Sequence, residues 1–418
     1  MTPDFNGPIR HDENCRICGS KNIVTVFELN PTPPEDRFIP KEQLNIIQEK
    51  YPLVLALCQN CGYLHLPYIL NPAISYSDYL YETKVTVGLP RHYQEYADEI
   101  LSLVRPLEGS LVVDLGSNDG TMLEGFKRHG MEVLGVEPSQ KLADVARSRG
   151  IPTIADFFTD AVRKEIIDRH GHPQIITANY MYANIDDILG FTQNVASLLS
   201  HEGVFAVQTG YHPEQMKINM FDYVYHEHFS YFSLKVLRYV FEKCGLDLID
   251  AQKKPAKGGA IRAVAQLKGG KRPVSPRIAE IIREEESRGI DKPETYIRFA
   301  EKINGLKVDL NLLLGQIKKE GIRIAGYGAS HSTTTLTYHF ELAPFLDYLV
   351  DDNPIKKGMY SPGWHLPVYP SSRLMEDKPN YTVILAWQYQ TEILRKNQAY
   401  LNQGGKFIIP LPELRVIE

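Results

Sequence analysis

A chain of 418 residues is long enough for two or three domains, and 43% hydrophobic with 23% charged residues is ordinary for a globular protein. A formal net charge of -5 excludes a basic footprint for nucleic acid, and no apolar run approaches a membrane span. The opening residues are polar, without a secretory core, and four of the 5 cysteines fall in two close pairs, so a cytoplasmic protein with a metal site is expected rather than a disulfide framework.

The pairs are Cys15-Arg16-Ile17-Cys18-Gly19 and Cys58-Gln59-Asn60-Cys61-Gly62. Each turn presents two thiolates, and four thiolates close a tetrahedral zinc site. Such a site has no open position, so its expected role is folding rather than catalysis. The stretch between the pairs carries Pro31, Pro33, Pro34 and Pro40 and reads as an inserted loop. Cys244 stands apart and reads as a core residue. Residues 68–96 are rich in tyrosine, and Tyr76, Tyr79 and Tyr81 lie in a loop leading into a helix over about 88–104. These rings either pack between domains or cover a ligand, their hydroxyl tips suiting an amphipathic site.

Val112-Val113-Asp114-Leu115-Gly116-Ser117-Asn118-Asp119-Gly120 then reads as a strand, a glycine turn and the start of a helix. Gly116 and Gly120 let backbone approach a ligand, and the turn aims helix N–H groups at it. There is no G-x-G-x-x-G, and Asp114 at the turn would repel a pyrophosphate. An acid suits a cation, and S-adenosylmethionine carries a sulfonium and an ammonium. A second strand ends at Glu137-Pro138, with Glu137 placed to accept from ribose hydroxyls. A third strand ends before Asp156-Phe157, an adenine edge contact with a stacking ring, and a fourth ends at Asn179. This order resembles the class I S-adenosylmethionine-dependent methyltransferases. The predicted donor contacts are Asp114, Gly116, Asn118, Asp119, Gly120, Glu137, Pro138, Asp156, Phe157 and Asn179, with Tyr79 and Tyr81 from the tyrosine loop.

Two segments are placed for chemistry. One is residues 179–187, with Asn184, after the fourth strand. The other, after a fifth strand, holds Tyr225-His226-Glu227-His228. Two histidines, an acid and a phenol supply a base, an orienter and an oxyanion donor. A metal site or a purely structural polar cluster are the rival readings. Further on, a polar connection becomes helical near Pro276, and a long amphipathic helix spans about 292–320. Strands near 321–327, 346–350, 382–387 and 406–410 imply a second parallel α/β unit. Its Gly326-Tyr327-Gly328 lacks a third glycine, and Ser330, Ser332 and Thr333 either hold phosphate oxygens or cap a helix.

Taken together, the cysteine knuckles, the Asp114 turn, Tyr225 to Ser233, Gly326-Tyr327-Gly328-Ala329, Val350 to Lys356 and Pro362 to Val368 resemble the nucleotide-sugar C-methyltransferases along the whole chain. The resemblance implies an α/β protein of three parts: a small zinc-binding domain over 1–75, a central methyltransferase (Rossmann-like) domain over 76–270 and a second Rossmann-like domain over 271–418. It implies structural Zn2+, S-adenosyl-L-methionine as donor, and a nucleoside-diphosphate 4-keto-6-deoxy sugar held between the lobes and methylated on a ring carbon, C3 before C5. His228 is then the expected base, Tyr225 and Glu227 orient the keto sugar, and His226 is an enolate donor. Tyr76, Tyr225, Ser330, Ser332, Thr333 and Lys356 are the expected substrate contacts. Asn184 stands where several members carry histidine, and Ser332-Thr333 where Lys-Gly is usual. Asparagine still donates a hydrogen bond but exchanges no proton near neutral pH. The expected assembly is a monomer or small homo-oligomer, without nucleic acid or membrane. An NAD(P)-dependent sugar oxidoreductase and a sugar-nucleotide binding protein are the alternatives.

Overall fold

Leu111–Leu115 is an interior strand of a seven-stranded sheet in the order Leu246–Lys254, Ala260–Leu267, Val204–Gly210, Ile175–Asn179, Leu111–Leu115, Glu132–Val136, Thr153–Ile154. Ala260–Leu267 runs antiparallel to both neighbours, and the other strands share one direction. The strands are apolar nearly throughout because both faces are covered. Val113, Leu134 and Ile176 enter one core with Val195 and Val240, whereas Val112, Val133 and Ile175 enter another with Ile100 and Phe126. Alternate side chains of one strand thus feed helices on opposite faces. Strand order reverses between Leu111–Leu115 and Ile175–Asn179, and open α/β sheets bind ligands beyond the carboxyl ends at such a point.

This computed structural model describes residues 5, 7–71, 74 and 88–418. Tyr76, Tyr79 and Tyr81, expected over the ligand, lie outside the described residues. Tyr93 and Tyr96 from the same tyrosine-rich run are buried on the helix Leu89–Val104. No helix among the described residues is long and apolar enough to cross a membrane.

The stretch between the cysteine pairs is more than a loop. It supplies Ile23–Thr32 and Tyr51–Cys58, which pair antiparallel in a four-stranded sheet with Leu64–His65 and Ser230–Tyr231. The prolines hid the first of these strands. Pro31 is accommodated where the ladder slips between Leu29 and Thr32, because a proline has no N–H to donate. Ser230–Tyr231 pairs with Leu64–His65, so the segment bearing His228 feeds into the N-terminal sheet.

The C-terminal sheet runs Val368–Pro370, Tyr348–Asp351, Ile324–Tyr327, Tyr381–Ile384, Lys406–Ile409, Arg415–Ile417, with only the last strand antiparallel. The two short edge strands carry too few residues to show a pattern in sequence. Pro293–Lys319 buries Tyr296, Ile303, Leu310, Leu314 and Ile317, which share one face of the helix. One apolar core holds Phe27 and Leu29 of the N-terminal sheet, Ile303, Leu336 and Phe340 of the C-terminal unit, and Phe221 and Phe229 of the His228 segment. The first and last stretches of the chain therefore pack together around that segment.

Candidate active site

The donor end is built at the reversal of strand order. Gly116 turns the chain with φ 73, and a Cβ there would lie 2.8 Å from Met181 Cγ, so only glycine keeps this cradle open. Glu137 is buried and accepts from the Asn118 N–H at 2.9 Å and the Ser139 N–H at 2.8 Å, which fixes its carboxylate beside the turn. Burial pushes its pKa up against those two backbone donors. Asp114 accepts from Thr177 Oγ1 at 2.6 Å, with the Asn179 amide also in reach. Burial pushes its carboxyl up to about 7. Phe157 is exposed beyond the edge strand, Asp156 accepts from the Phe157 N–H at 2.7 Å, and Pro138 is exposed. Asp119 has a different setting from its neighbours. Its carboxylate accepts from Thr121 Oγ1 at 2.6 Å and lies 3.5 Å from Arg149, so it starts the helix Thr121–Arg128 that follows the Gly120 turn.

The histidine segment is fixed from three sides. His228 Nδ1 lies 3.2 Å from the Tyr223 carbonyl. A carbonyl only accepts, so Nδ1 carries the proton and Nε2 keeps its lone pair. The Tyr225 hydroxyl lies 3.0 Å from Nε2, and the two rings pack with centroids 4.0 Å apart. Burial lowers the His228 pKa to about 4, which keeps the imidazole neutral. Glu227 is also buried. Burial pushes its carboxyl up to about 7 against the pull of His331, whose Nε2 lies 3.9 Å away.

His226 meets a residue that sequence reasoning missed. Its backbone N–H and its Nδ1–H both reach Glu35 Oε1, the ring nitrogen at 3.1 Å, and both side chains are fully enclosed. Burial opposes the charge on Glu35, but His226 holds its carboxyl below the usual range. Glu35 and Asp36 follow Pro33-Pro34, so the expected inserted loop is the element that brings two acids to this segment. The only signal in the sequence was an acid pair after a proline pair. His226 Nε2 is enclosed as well, which fits a ring that orders the segment more than one that meets a substrate.

The C-terminal unit adds the third side. His331 Nε2 stands 3.9 Å from Asp36 as well as from Glu227. Lys356 pairs with Asp36 at 2.5 Å and lies 4.2 Å over the Phe38 ring. Thr335 Oγ1 donates to the Val224 carbonyl at 2.8 Å. Thr333 has its hydroxyl taken by the helix start, receiving the Ser330 N–H at 3.0 Å and donating to the Ser330 carbonyl at 2.6 Å. That is the capping alternative left open for this run, and the Ser330 side chain joins it by accepting from the Thr333 N–H; the Ser330 and Ser332 hydroxyls lie 3.4 Å apart beside His331. The turn at Gly363 packs against the N-terminal stretch, its N–H donating to Gln48 Oε1 at 2.7 Å.

The four cysteine sulfurs all lie within 4.8 Å of one another, with contacts of 3.5 and 3.7 Å. Four thiolates at about 2.3 Å from a zinc ion are spaced in this way. Arg16, inside the first knuckle, carries the order of this site outward. Its Nη2 donates to the Phe229 carbonyl at 2.7 Å and to the Tyr63 hydroxyl at 2.9 Å, and Nη1 lies 3.3 Å from Asp186. Arg10 makes a two-pronged pair with the same Asp186 at 2.7 and 2.9 Å. Asn184 ends the short turn Tyr182–Asn184 two residues before that acid. Both segments expected to do chemistry are thus tied to the cysteine knuckle.

Comparisons with known proteins follow the same three parts. Residues 15–76 match a zinc binding domain family, residues 90–251 a methyltransferase domain family, and residues 255–412 the C-methyltransferase C-terminal domain family. C-methyltransferase NovU of Streptomyces niveus is 32% identical over 410 residues, which cover 98% of each chain. A ubiquinone biosynthesis O-methyltransferase of Paramagnetospirillum magneticum is 26% identical over 115 residues, 28% of this chain and 46% of that one. The solved structure of the CcbJ methyltransferase of Streptomyces caelestis is similar at 15% identity and a TM-score of 0.33, covering 42% of this chain and 90% of the other. Because NovU matches almost end to end and the three family regions occur in order, the chain belongs to the S-adenosylmethionine-dependent C-methyltransferases, with a zinc-binding N-terminal part.

Proposed function

We propose that this C-methyltransferase acts on a nucleoside-diphosphate-linked 4-keto-6-deoxyhexose and methylates its C3. The observation that carries the reading is His228. Its tautomer is set by a backbone carbonyl, and its unprotonated Nε2 accepts from the Tyr225 hydroxyl. A sugar carbon becomes a nucleophile only after losing a proton, and a neighbouring ketone takes up the charge as an enolate. S-adenosylmethionine supplies an electrophilic methyl group. The protein must therefore supply a neutral base at the C3 proton and donors at the C4 oxygen.

Neutral His228 is ready to accept that proton at any pH above about 4. Such an imidazole is a weak base in the empty site, and an enolate forming beside it would raise its affinity for the proton. Tyr225 donates to Nε2 in the resting site and turns to the sugar when the proton moves. Glu227, with a pKa near 7, exists partly as the acid at neutral pH and orients a sugar hydroxyl or the keto group. The nucleotide is expected along Ser330, Ser332 and His331, at the start of a helix whose N–H groups favour phosphate.

The test is mass spectrometry of products from S-adenosylmethionine and a panel of thymidine- and guanosine-linked 4-keto-6-deoxyhexoses, with wild type and His228→Ala side by side. One methyl on one panel member, lost in the variant, is the expected outcome. Methyl transfer that survives in His228→Ala removes His228 as the base. A wild type that binds the donor yet methylates no member overturns the sugar assignment.

A further inference from the structure

The hairpin between Leu246–Lys254 and Ala260–Leu267 turns through Pro255-Ala256-Lys257-Gly258-Gly259. Lys257 stands in the left-handed region, at φ 51 and ψ 44, although it carries a long side chain. Its Nζ lies 4.2 Å from the centre of the Tyr180 ring. Tyr180 is left-handed too, at φ 56, and its hydroxyl accepts from Gln208 Nε2 at 3.0 Å. It directly follows Asn179, at the carboxyl end of the strand beside the reversal of strand order. Two non-glycine residues in an unfavourable backbone region thus meet at the edge where such sheets do chemistry, and strain of this kind persists only where the surrounding structure enforces it.

The surroundings do enforce it. A Cβ at Gly258 would fall 2.1 Å from Met220 Sδ, and Met220 belongs to the core beneath the segment that leads to His228. Near that segment, Lys356 is paired with Asp36. The Lys257 charge is felt at His228, where it opposes protonation. Burial lowers the pKa of Lys257 itself to about 8, so the ammonium is costly at rest and gains most from an anion that forms next to it. The ring beneath it supports the cation without neutralising it.

We propose that Lys257 is a catalytic residue whose ammonium holds the sugar carbonyl oxygen as that oxygen becomes an enolate. The inference rests on the keto-sugar reading above. In the step, the C3–H bond breaks and its proton goes to His228 Nε2. The electron pair left behind forms the C3–C4 double bond, and the C4–O π pair moves onto oxygen, facing Nζ. Tyr180 and Gly258 are positioning residues that aim the ammonium.

The test follows deuterium uptake into the keto sugar in heavy water without methyl donor, for wild type, Lys257→Met, Lys257→Gln and Lys257→Arg. Binding of S-adenosylhomocysteine is measured in parallel. Loss of an oxyanion donor slows reactions by about a hundredfold or more, so Met and Gln should exchange at least about that much more slowly, with Arg recovering part of the loss. Homocysteine-product binding should be unchanged in all. Wild-type exchange should also fall above pH 8, the value to which the Lys257 ammonium is lowered. The Gln variant is one atom shorter than Lys and keeps a neutral hydrogen-bond donor, so, with Arg beside it, it reads the charge even if Met fails to fold. Exchange by a folded neutral variant within about threefold of wild type overturns the assignment. So does a loss of S-adenosylhomocysteine binding with exchange intact, which would place the ammonium on the donor. A wild type that exchanges no panel member sinks the keto-sugar reading and this inference with it.

Discussion

Arg16 Nη2 and the Phe229 carbonyl meet at 2.7 Å, which joins the first cysteine knuckle to the residue after His228. The same guanidinium holds Tyr63 and lies against Asp186. A zinc ion placed to close the knuckle would thereby help fix the segment that carries His228 without touching it. Residues that hold a metal's ligands in place act in a similar way, through orientation rather than chemistry.

Arg16→Ala is expected to lower kcat while leaving donor affinity nearly unchanged. Hydrogen bonds to a charged group contribute about 1.5–3 kcal/mol each, so a fall of roughly tenfold to a hundredfold is expected. Chelation of zinc should act in the same direction and should also lower the melting temperature, because the metal contributes to folding. Steady-state kinetics and calorimetric titration with S-adenosylhomocysteine separate the effects. Equal losses in donor binding and turnover would show that Arg16 supports the whole central unit instead.

Glu35→Gln should destabilise the protein strongly, since it breaks a buried pair with His226 and leaves the partner uncompensated. Breaking such a pair costs about 3–5 kcal/mol. The pH dependence has a definite sign. Glu35 is held below its ordinary 4.5 in the folded protein, so its contribution is present above that pH and is lost as pH falls through the lower folded value. Urea unfolding of wild type and variant should therefore differ most near neutrality and converge in acid. A constant gap down to pH 3 would contradict the ion-pair account.

Asp114→Asn should stabilise the fold and weaken donor binding. The Asp114 carboxyl titrates near 3.8 when unfolded and about 7 when folded, because burial disfavours its charge. Its contribution to stability is fully present below 3.8 and is lost as pH rises to about 7, so the neutral variant should gain on wild type across that window. The asparagine oxygen can still accept from Thr177 Oγ1. A cationic donor favours the carboxylate, so wild-type donor affinity should rise with pH through about 7, and the variant should lose that dependence. Thermal melts and titrations at pH 5 and 8 test both parts. A variant less stable than wild type at pH 8 would refute the first.

The cysteine spacing, the glycine turn after Asp114 and the strand-ending acids were legible because each is a local pattern. The elements from Leu89–Val104 to Pro293–Lys319 follow from hydrophobic period and from Gly and Pro punctuation, which act over a few residues. The His228 segment stood out in the sequence as a cluster, since four polar groups stand together in an apolar stretch. The stretch between the cysteines was misjudged, since Pro31, Pro33 and Pro34 read as loop while Ile23–Thr32 pairs as a strand around its slipped register.

The tertiary structure alone decided who meets the histidines. Glu35 stands 191 residues before His226, and Arg16 stands 213 before Phe229. Lys257 reaches Tyr180 only because Ala260–Leu267 and Ile175–Asn179 both flank Val204–Gly210 in the same sheet. No period or motif encodes such contacts. They arise when distant segments bury their apolar faces in one core, and the polar groups carried along must then find partners within it.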